Sequence, residues 1–137
     1  METDKLIPKI LRESKVIAVV GLSPKPDRSS HSVSAHLQKN GYRIIPVYPK
    51  EEAILGEKVF RSLGEIPFPV DIVLIFRKSE DVPPVVEEAI RIKPKTIWMQ
   101  QGIVNETAAK SAESMGIQVI MDRCMSLELA KFNSPKE

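Results

Sequence analysis

The sequence contains a single cysteine, Cys124, among its 137 residues. One cysteine excludes an internal disulfide and a thiolate metal cluster. No stretch approaches the roughly 18 apolar residues of a membrane span, and no signal-peptide pattern opens the chain. With 42% hydrophobic and 28% charged residues, we expect a cytoplasmic, metal-free globular protein. The length predicts one domain over residues 1–137, with its core at about 14–132 and a frayed tail at 133–137.

Two nucleotide-binding motifs are also absent from the sequence. No G-K-[ST] of a Walker A loop occurs. The dinucleotide fingerprint G-x-G-x-x-G is incomplete, because Gly21 and Leu22 are followed by Ser23 where the second glycine would stand. The acidic residue that would bind ribose hydroxyls at the end of the second strand is replaced by Tyr48-Pro49-Lys50. These departures argue against NAD and favour a ligand with a phosphate on its ribose, which describes both NADP and coenzyme A.

The net charge of +2 is too small to indicate general nucleic-acid binding. Its distribution is uneven, because residues 1–50 hold nine Lys/Arg and four Asp/Glu, whereas residues 51–137 hold eleven and fourteen. Two explanations stay open at this point. The basic excess is either a chance distribution of solvated charges or part of a pocket for an anionic small molecule.

Apolar runs alternate with amphipathic segments along the chain. Strands are predicted at Val16–Val20, 42–48, 70–76, Thr96–Met99 and 118–121, with a short edge strand at 58–60. Helices are predicted at 4–14 (Pro8 in its first turn), 30–40 (a serine as N-cap), 79–93 (Ser79 as N-cap), 105–116 (Asn105 as N-cap, Met115 inward) and 127–132. This alternation predicts an α/β fold: a doubly wound, Rossmann-like open sheet of about five parallel strands in a three-layer α/β/α arrangement.

Ligands in such sheets bind outside the carboxyl ends of the strands, so the strand exits at 21–30, 48–50, 76–79 and 98–102 are the candidate site. In the first of these, Arg28 can fork onto phosphate oxygens and Ser29 can donate at a helix start. The alternative is a proline-stiffened surface loop whose serines merely cap the helix. Trp98 is either a core residue or, with the amides that follow it, a contact for a polar ligand tail.

These motifs occur together in a fixed order. Along the chain they read Gly21-Leu22-Ser23, Arg28-Ser29, Pro46-Val47-Tyr48-Pro49-Lys50, Val70-Asp71-Ile72-Val73, Phe76-Arg77-Lys78-Ser79-Glu80, Trp98-Met99-Gln100-Gln101-Gly102 and Met121-Asp122-Arg123-Cys124-Met125. The series closely resembles the stand-alone CoA-binding proteins of bacteria and archaea. Their Rossmann domain is similar to the CoA-binding domain of the succinyl-CoA synthetase alpha subunit. The resemblance covers residues 14–132.

The resemblance implies coenzyme A as the ligand and a role for each motif. Residues 21–23 with Arg28 and Ser29 would hold the pyrophosphate, and Lys50 would meet the ribose 3′-phosphate. The remaining implied contacts are Tyr48 and Pro49 beside the nucleotide, Phe76, Arg77 and Val82 along the adenine and pantetheine path, and Trp98, Met99, Gln100 and Gly102 along the pantetheine arm. Members of the family usually carry asparagine where this chain has Tyr48, which leaves the contact at that position open.

No catalytic residue is assigned from the sequence. His31 opens the first crossover helix, His36 is expected on a solvated or half-buried face, and neither has an evident partner. Cys124 follows Arg123, which could lower the pKa of its thiol and permit a redox role, although a small buried residue is the commoner explanation. We therefore expect a non-catalytic CoA-binding carrier, sensor or partner subunit without nucleic-acid or membrane partners; a homo-oligomer and a complex with a partner enzyme are both open. The alternatives are an NADP-dependent reductase, a Cys124-based acyl-CoA or redox enzyme, and an oligomeric scaffold.

Overall fold

A computed structural model describes residues 2–134 of the chain. Its helices are α1 (Glu2–Glu13), α2 (Ser29–Lys39), α3 (Val82–Ile92), α4 (Glu106–Ser114) and α5 (Met125–Asn133). Its strands are β1 (Val16–Val20), β2 (Arg43–Val47), β3 (Ala53–Ile54), β4 (Glu57–Lys58), β5 (Ile72–Ile75), β6 (Thr96–Met99) and β7 (Gln118–Ile120). Of the predicted tail, residues 135–137 lie outside the described residues, whereas Asn133 still belongs to α5. No helix within residues 2–134 is long and apolar enough to cross a bilayer.

Five of the strands form one parallel sheet in the order β2-β1-β5-β6-β7. Ala18 at the middle of β1 lies between Ile45 of β2 and Val73 of β5. Side chains on one face of the sheet pack against α1, α2 and α5, and those on the other face pack against α3 and α4. The chain reverses its direction of winding between β2 and β5. The predicted doubly wound, three-layer fold is therefore confirmed, and the switch point lies beside β1.

The start of α2 differs from the prediction of a serine N-cap. Arg28 occupies the N-cap position, and no side chain caps the helix there. The Ser30 hydroxyl instead accepts a hydrogen bond from the backbone N–H of Ser23 at 3.0 Å, across the preceding loop. A serine within the first turn can reach back in this way, because a buried hydroxyl needs a partner and the loop supplies one.

The predicted N-cap of α3 is also wrong. Ser79 begins a short 3-10 turn, and its hydroxyl accepts from the backbone N–H of Val104 at 3.0 Å. The helix itself begins three residues later, at Val82, and Pro83 and Pro84 lie in its first turn. Prolines in the first turn lack the N–H groups that an N-cap would satisfy, so the serine hydroxyl is free to fasten a neighbouring loop. The Asn105 cap of α4 is confirmed, since its side chain accepts from Ala108 N–H.

Three further details depart from the sequence prediction. Helix α1 begins at Glu2, which places Pro8 inside the helix rather than in its first turn. Met115, predicted to face inward, is 64% exposed, because α4 ends at Ser114 and Met115 stands at its C-cap position. The predicted edge strand at 58–60 is divided: β4 pairs antiparallel with β3, and Phe60 forms a separate parallel bridge with Val47.

Candidate functional site

Three strand exits meet at Gly21, the residue after β1. The Gly21 N–H donates to the carbonyl of Val47 at 3.0 Å, and the Phe76 N–H donates to the carbonyl of Val20 at 2.9 Å. Gly21 has a φ of +89°, and a Cβ at this position would collide with the Phe76 carbonyl oxygen and the Arg77 guanidinium. Glycine is therefore needed here for the close packing of β1 against the exit of β5.

The loop after Gly21 is held by its own hydrogen bonds. The Lys25 N–H donates to the Ser23 hydroxyl at 3.1 Å, and the Arg28 N–H donates to the Lys25 carbonyl at 3.1 Å. Together with the Ser23–Ser30 bond, these contacts fold residues 23–28 back onto the start of α2. Two cations, Lys25 and Arg28, are thereby brought to the amino end of the helix.

The amino end of α2 favours an anion. Its first turn carries no acidic side chain, and no side chain caps it. The first N–H groups of a helix have no partner within the helix, and they carry the positive end of the helix dipole. A phosphate group satisfies both the unpaired donors and the dipole. Exposed Arg28 and Ser29 stand directly at this helix end.

A cavity of about 340 Å³ lies over this helix end, and its lining combines residues from three strand exits. The lining residues are Gly21, Ser23, Lys25, Arg28, Ser29, Ser30, Tyr48 and Phe76. Six of the eight belong to the predicted contact set. Lys25 and Ser30 do not belong to that set. Both lie in the same loop and helix start as predicted contacts, so their position in the sequence could have identified them as lining residues. Both cations and the helix N-terminus face one cavity, which suits a polyphosphate.

The turn of residues 48–50, here called the rim, carries Lys50 and adjoins the cavity through Tyr48, which lines it. Pro49 and Lys50 are exposed and do not line the cavity. Arg61, which the sequence motifs do not include, donates from Nη1 to the carbonyls of Tyr48 at 3.1 Å and Lys50 at 2.9 Å. No local pattern could have revealed this contact, because it joins the β2 exit to a residue eleven positions after Lys50.

Other predicted contacts are buried rather than open to the cavity. Leu22 and Val82 are fully buried in the two layers of the core. Arg77 is partly buried against Gly21, where its Nη1 donates to the Phe76 carbonyl at 3.4 Å. Contact of these three side chains with a ligand stays a prediction.

The exit of β6 is fastened to the start of α5. Trp98 and Met99 are fully buried, and the Trp98 Nε1–H donates to the Arg123 carbonyl at 2.8 Å. The Gln100 side-chain oxygen accepts from the Met125 N–H at 3.3 Å, while the Gly102 N–H donates to the Asp122 carboxylate at 2.7 Å. These donors and acceptors serve the protein's own backbone. A guiding role toward a pantetheine arm stays a prediction.

Cys124 lies half-buried at the N-cap position of α5, beside a second cavity of about 430 Å³. The neighbouring Arg123 is ion-paired with Asp4 at 2.9 Å and with Glu128 at 3.7 Å. The hydrogen bond that Arg123 donates to the Asp4 carboxylate raises the pKa of Arg123 above its ordinary value. Two carboxylates therefore share the Arg123 guanidinium. The redox role of Cys124 stays a prediction.

The two histidines serve different parts of the structure. His31 is half-buried in the first turn of α2 and does not line the cavity at the amino end of that helix. His36, half-buried as expected, forms a hydrogen bond through Nδ1 with the Ser126 hydroxyl. This contact links α2 to α5. Neither histidine lines the cavity over the amino end of α2.

Comparison with known proteins gives consistent matches. A family model described as a CoA binding domain matches residues 15–130. The uncharacterised protein YneT of Bacillus subtilis is 50% identical over 121 residues, covering 88% of this chain and 90% of that protein. A hypothetical protein from Pyrococcus horikoshii of known structure superposes with a TM-score of 0.91 at 37% identity, over 96% of this chain and 92% of that one. An ADP-forming acetate–CoA ligase of Archaeoglobus fulgidus is 26% identical over 82% of this chain, which spans only 18% of the ligase.

Proposed function

Because the chain belongs to the CoA-binding domain family, we propose that it binds coenzyme A or a CoA thioester at the cavity over the amino end of α2. The pyrophosphate lies against the helix start, between Lys25 and Arg28. The 3′-phosphate of the ribose meets Lys50 at the rim. The adenosine lies beside Tyr48 and Phe76, and the pantetheine arm runs toward the exit of β6.

The observation that carries this proposal is the chemistry of the cavity lining. An uncapped helix N-terminus, two flexible cations and several hydroxyls converge on one space of about 340 Å³. Such a donor set is complementary to a polyphosphate, and the lining contains no carboxylate. The one carboxylate of the loop, Asp27, precedes Arg28 and is exposed. The residues present therefore fit the charged half of coenzyme A.

The rim favours a ribose with an additional phosphate. An acidic residue that would bind free ribose hydroxyls is missing at the exit of β2, and Lys50 is exposed in its place. An ammonium on a flexible stem binds a phosphate dianion strongly, whereas it gains little from neutral hydroxyls. This argues for coenzyme A over NAD or AMP. NADP also carries a phosphate on its ribose, so it is the competitor that the experiment must include.

We infer a binding role without turnover, as a carrier, sensor or partner subunit. Among the described residues, the cavity lining contains no cysteine, histidine, aspartate or glutamate, so the lining itself contributes no imidazole or carboxylate as a general base. This chain matches less than one fifth of the length of the ligase relative. The activity of the ligase is not proposed for this chain.

Calorimetric titration of the protein with coenzyme A, NADP, NAD and AMP tests the proposal. We expect coenzyme A to bind most tightly, and Arg28→Ala to weaken it about 10- to 100-fold, as the loss of a charge-assisted hydrogen bond does. Lys110→Ala on the exposed face of α4 removes the same charge elsewhere and should leave the affinity unchanged. Preferential binding of NADP, or equal effects of the two variants, would overturn the proposal.

A further inference from the structure

Arg61 joins both ends of the turn that carries Lys50. Its Nη1 donates to the carbonyl of Tyr48 at 3.1 Å and to the carbonyl of Lys50 at 2.9 Å. The Arg61 backbone is itself fixed, because its N–H donates to the Glu65 carboxylate at 2.9 Å. One guanidinium therefore spans the first and last residues of the turn.

The turn needs this support because its own backbone supplies few hydrogen bonds. Pro49 has no N–H to donate. Glu51, which follows the turn, has a φ of +70°, a left-handed conformation that is unfavourable for a residue with a side chain. Upstream, the chain is held by the ladder bond from Tyr48 N–H to the Phe60 carbonyl at 3.0 Å. Downstream of Tyr48, the contact from Arg61 fixes the path of the backbone on which Lys50 is mounted.

We propose that Arg61 is a positioning residue that sets the selectivity of the site for a 3′-phosphorylated adenosine ligand. It acts through Lys50: a fixed turn holds the lysine stem at the rim, so less conformational freedom is lost when its ammonium meets the phosphate. This inference rests on the proposed function. It adds that the preference for the 3′-phosphate depends on a residue that never touches it.

The variant Arg61→Met removes the donors and keeps most of the aliphatic stem. We expect it to weaken the binding of coenzyme A about three- to ten-fold, the range expected for freeing one ordered side chain, and to leave the binding of dephospho-coenzyme A within about two-fold. Arg91→Met, an equal charge loss at the exposed far end of α3, should change neither affinity. Equal weakening of both ligands by Arg61→Met, or no weakening, would overturn the proposal.

A double-variant cycle separates positioning from direct contact. If Arg61 acts through Lys50, then Arg61→Met should have no further effect on coenzyme A affinity in a Lys50→Ala background. Additive losses would show a direct contact with the ligand and would overturn the positioning role. The N–H groups of Tyr48 and Val59, which donate to the carbonyls of Phe60 and Glu52 on either side of the turn, should exchange faster without ligand in Arg61→Met; unchanged exchange would also overturn it. Failure of the wild-type protein to bind coenzyme A would instead refute the proposed function, and the exchange measurement distinguishes the two failures.

Discussion

Replacing Gly21 with alanine tests whether this glycine is required by the packing of the sheet. The methyl group would be directed at the Phe76 carbonyl oxygen and the Arg77 Nη1. The Arg77 side chain is flexible and can withdraw. The Phe76 backbone cannot move freely, because its N–H is bonded to the Val20 carbonyl at 2.9 Å. The collision must therefore be relieved by a shift of β1 or of the β5 exit.

Two terms contribute to the expected loss of stability. The φ of +89° at Gly21 is a left-handed conformation that costs about 1–2 kcal/mol for an L-residue. Forcing a methyl group into a closely packed region costs about 1–3 kcal/mol more. Together they predict that Gly21→Ala lowers the free energy of unfolding by about 2–5 kcal/mol.

Gly116→Ala is the matched control, because Gly116 has a φ of +80° and no atom lies within 4 Å of its added Cβ. This variant keeps the backbone term and lacks the collision, so it should lose only about 1–2 kcal/mol. Urea unfolding followed by circular dichroism measures both variants against the wild type. Equal losses for the two alanines would refute the requirement for close packing at Gly21.

Three further outcomes can be measured directly. Tyr42→Phe removes the buried bond from the Tyr42 hydroxyl to the Leu11 carbonyl, at 2.5 Å, and should cost about 1–2 kcal/mol in urea unfolding. Burial raises the pKa of Tyr42 above its ordinary value of 10.0. The contribution of the neutral hydroxyl to the free energy of unfolding is therefore fully present below pH 10.0 and is lost as the pH rises through the raised pKa. The phenylalanine variant should lack this pH dependence. Trp98→Phe deletes the donor to the Arg123 carbonyl and should lower the unfolding free energy by about 1–3 kcal/mol, whereas a neutral effect would contradict that anchoring role. Coenzyme A affinity should fall as salt is raised, since the cations around the cavity are exposed, and a flat salt profile would contradict a phosphate site there.

Periodicity alone was sufficient for the parallel sheet. The predicted bounds of β1 and β6 are those observed, because short β-branched runs buried on both faces are compatible with few other structures. The cap at Asn105 was also predictable, since its side chain bonds within its own helix turn. Ser79 has the same local signal, but its hydroxyl bonds to Val104, 25 residues away.

In the candidate site, too, local features were predictable from the sequence and long-range contacts were not. Arg28, Ser29 and the glycine turn follow from the order of strand, loop and helix, so the sequence predicts them as neighbours. Whether a side chain at a strand exit faces the cavity or the core depends on what packs above it. Trp98 is fully buried because the start of α5 covers it.

By itself, the sequence determined the fold class, the switch point beside β1 and the basic loop at the start of α2. The alternation of strand and helix patterns is local in the chain, and few topologies are compatible with it. Only the tertiary structure decided that Gly21 is needed for contact with the β5 exit. It alone revealed that Arg61 supports the turn carrying Lys50, and that the β6 exit is tied to α5. These contacts join distant segments, and their geometry is set by how the layers pack rather than by any local preference of the residues involved.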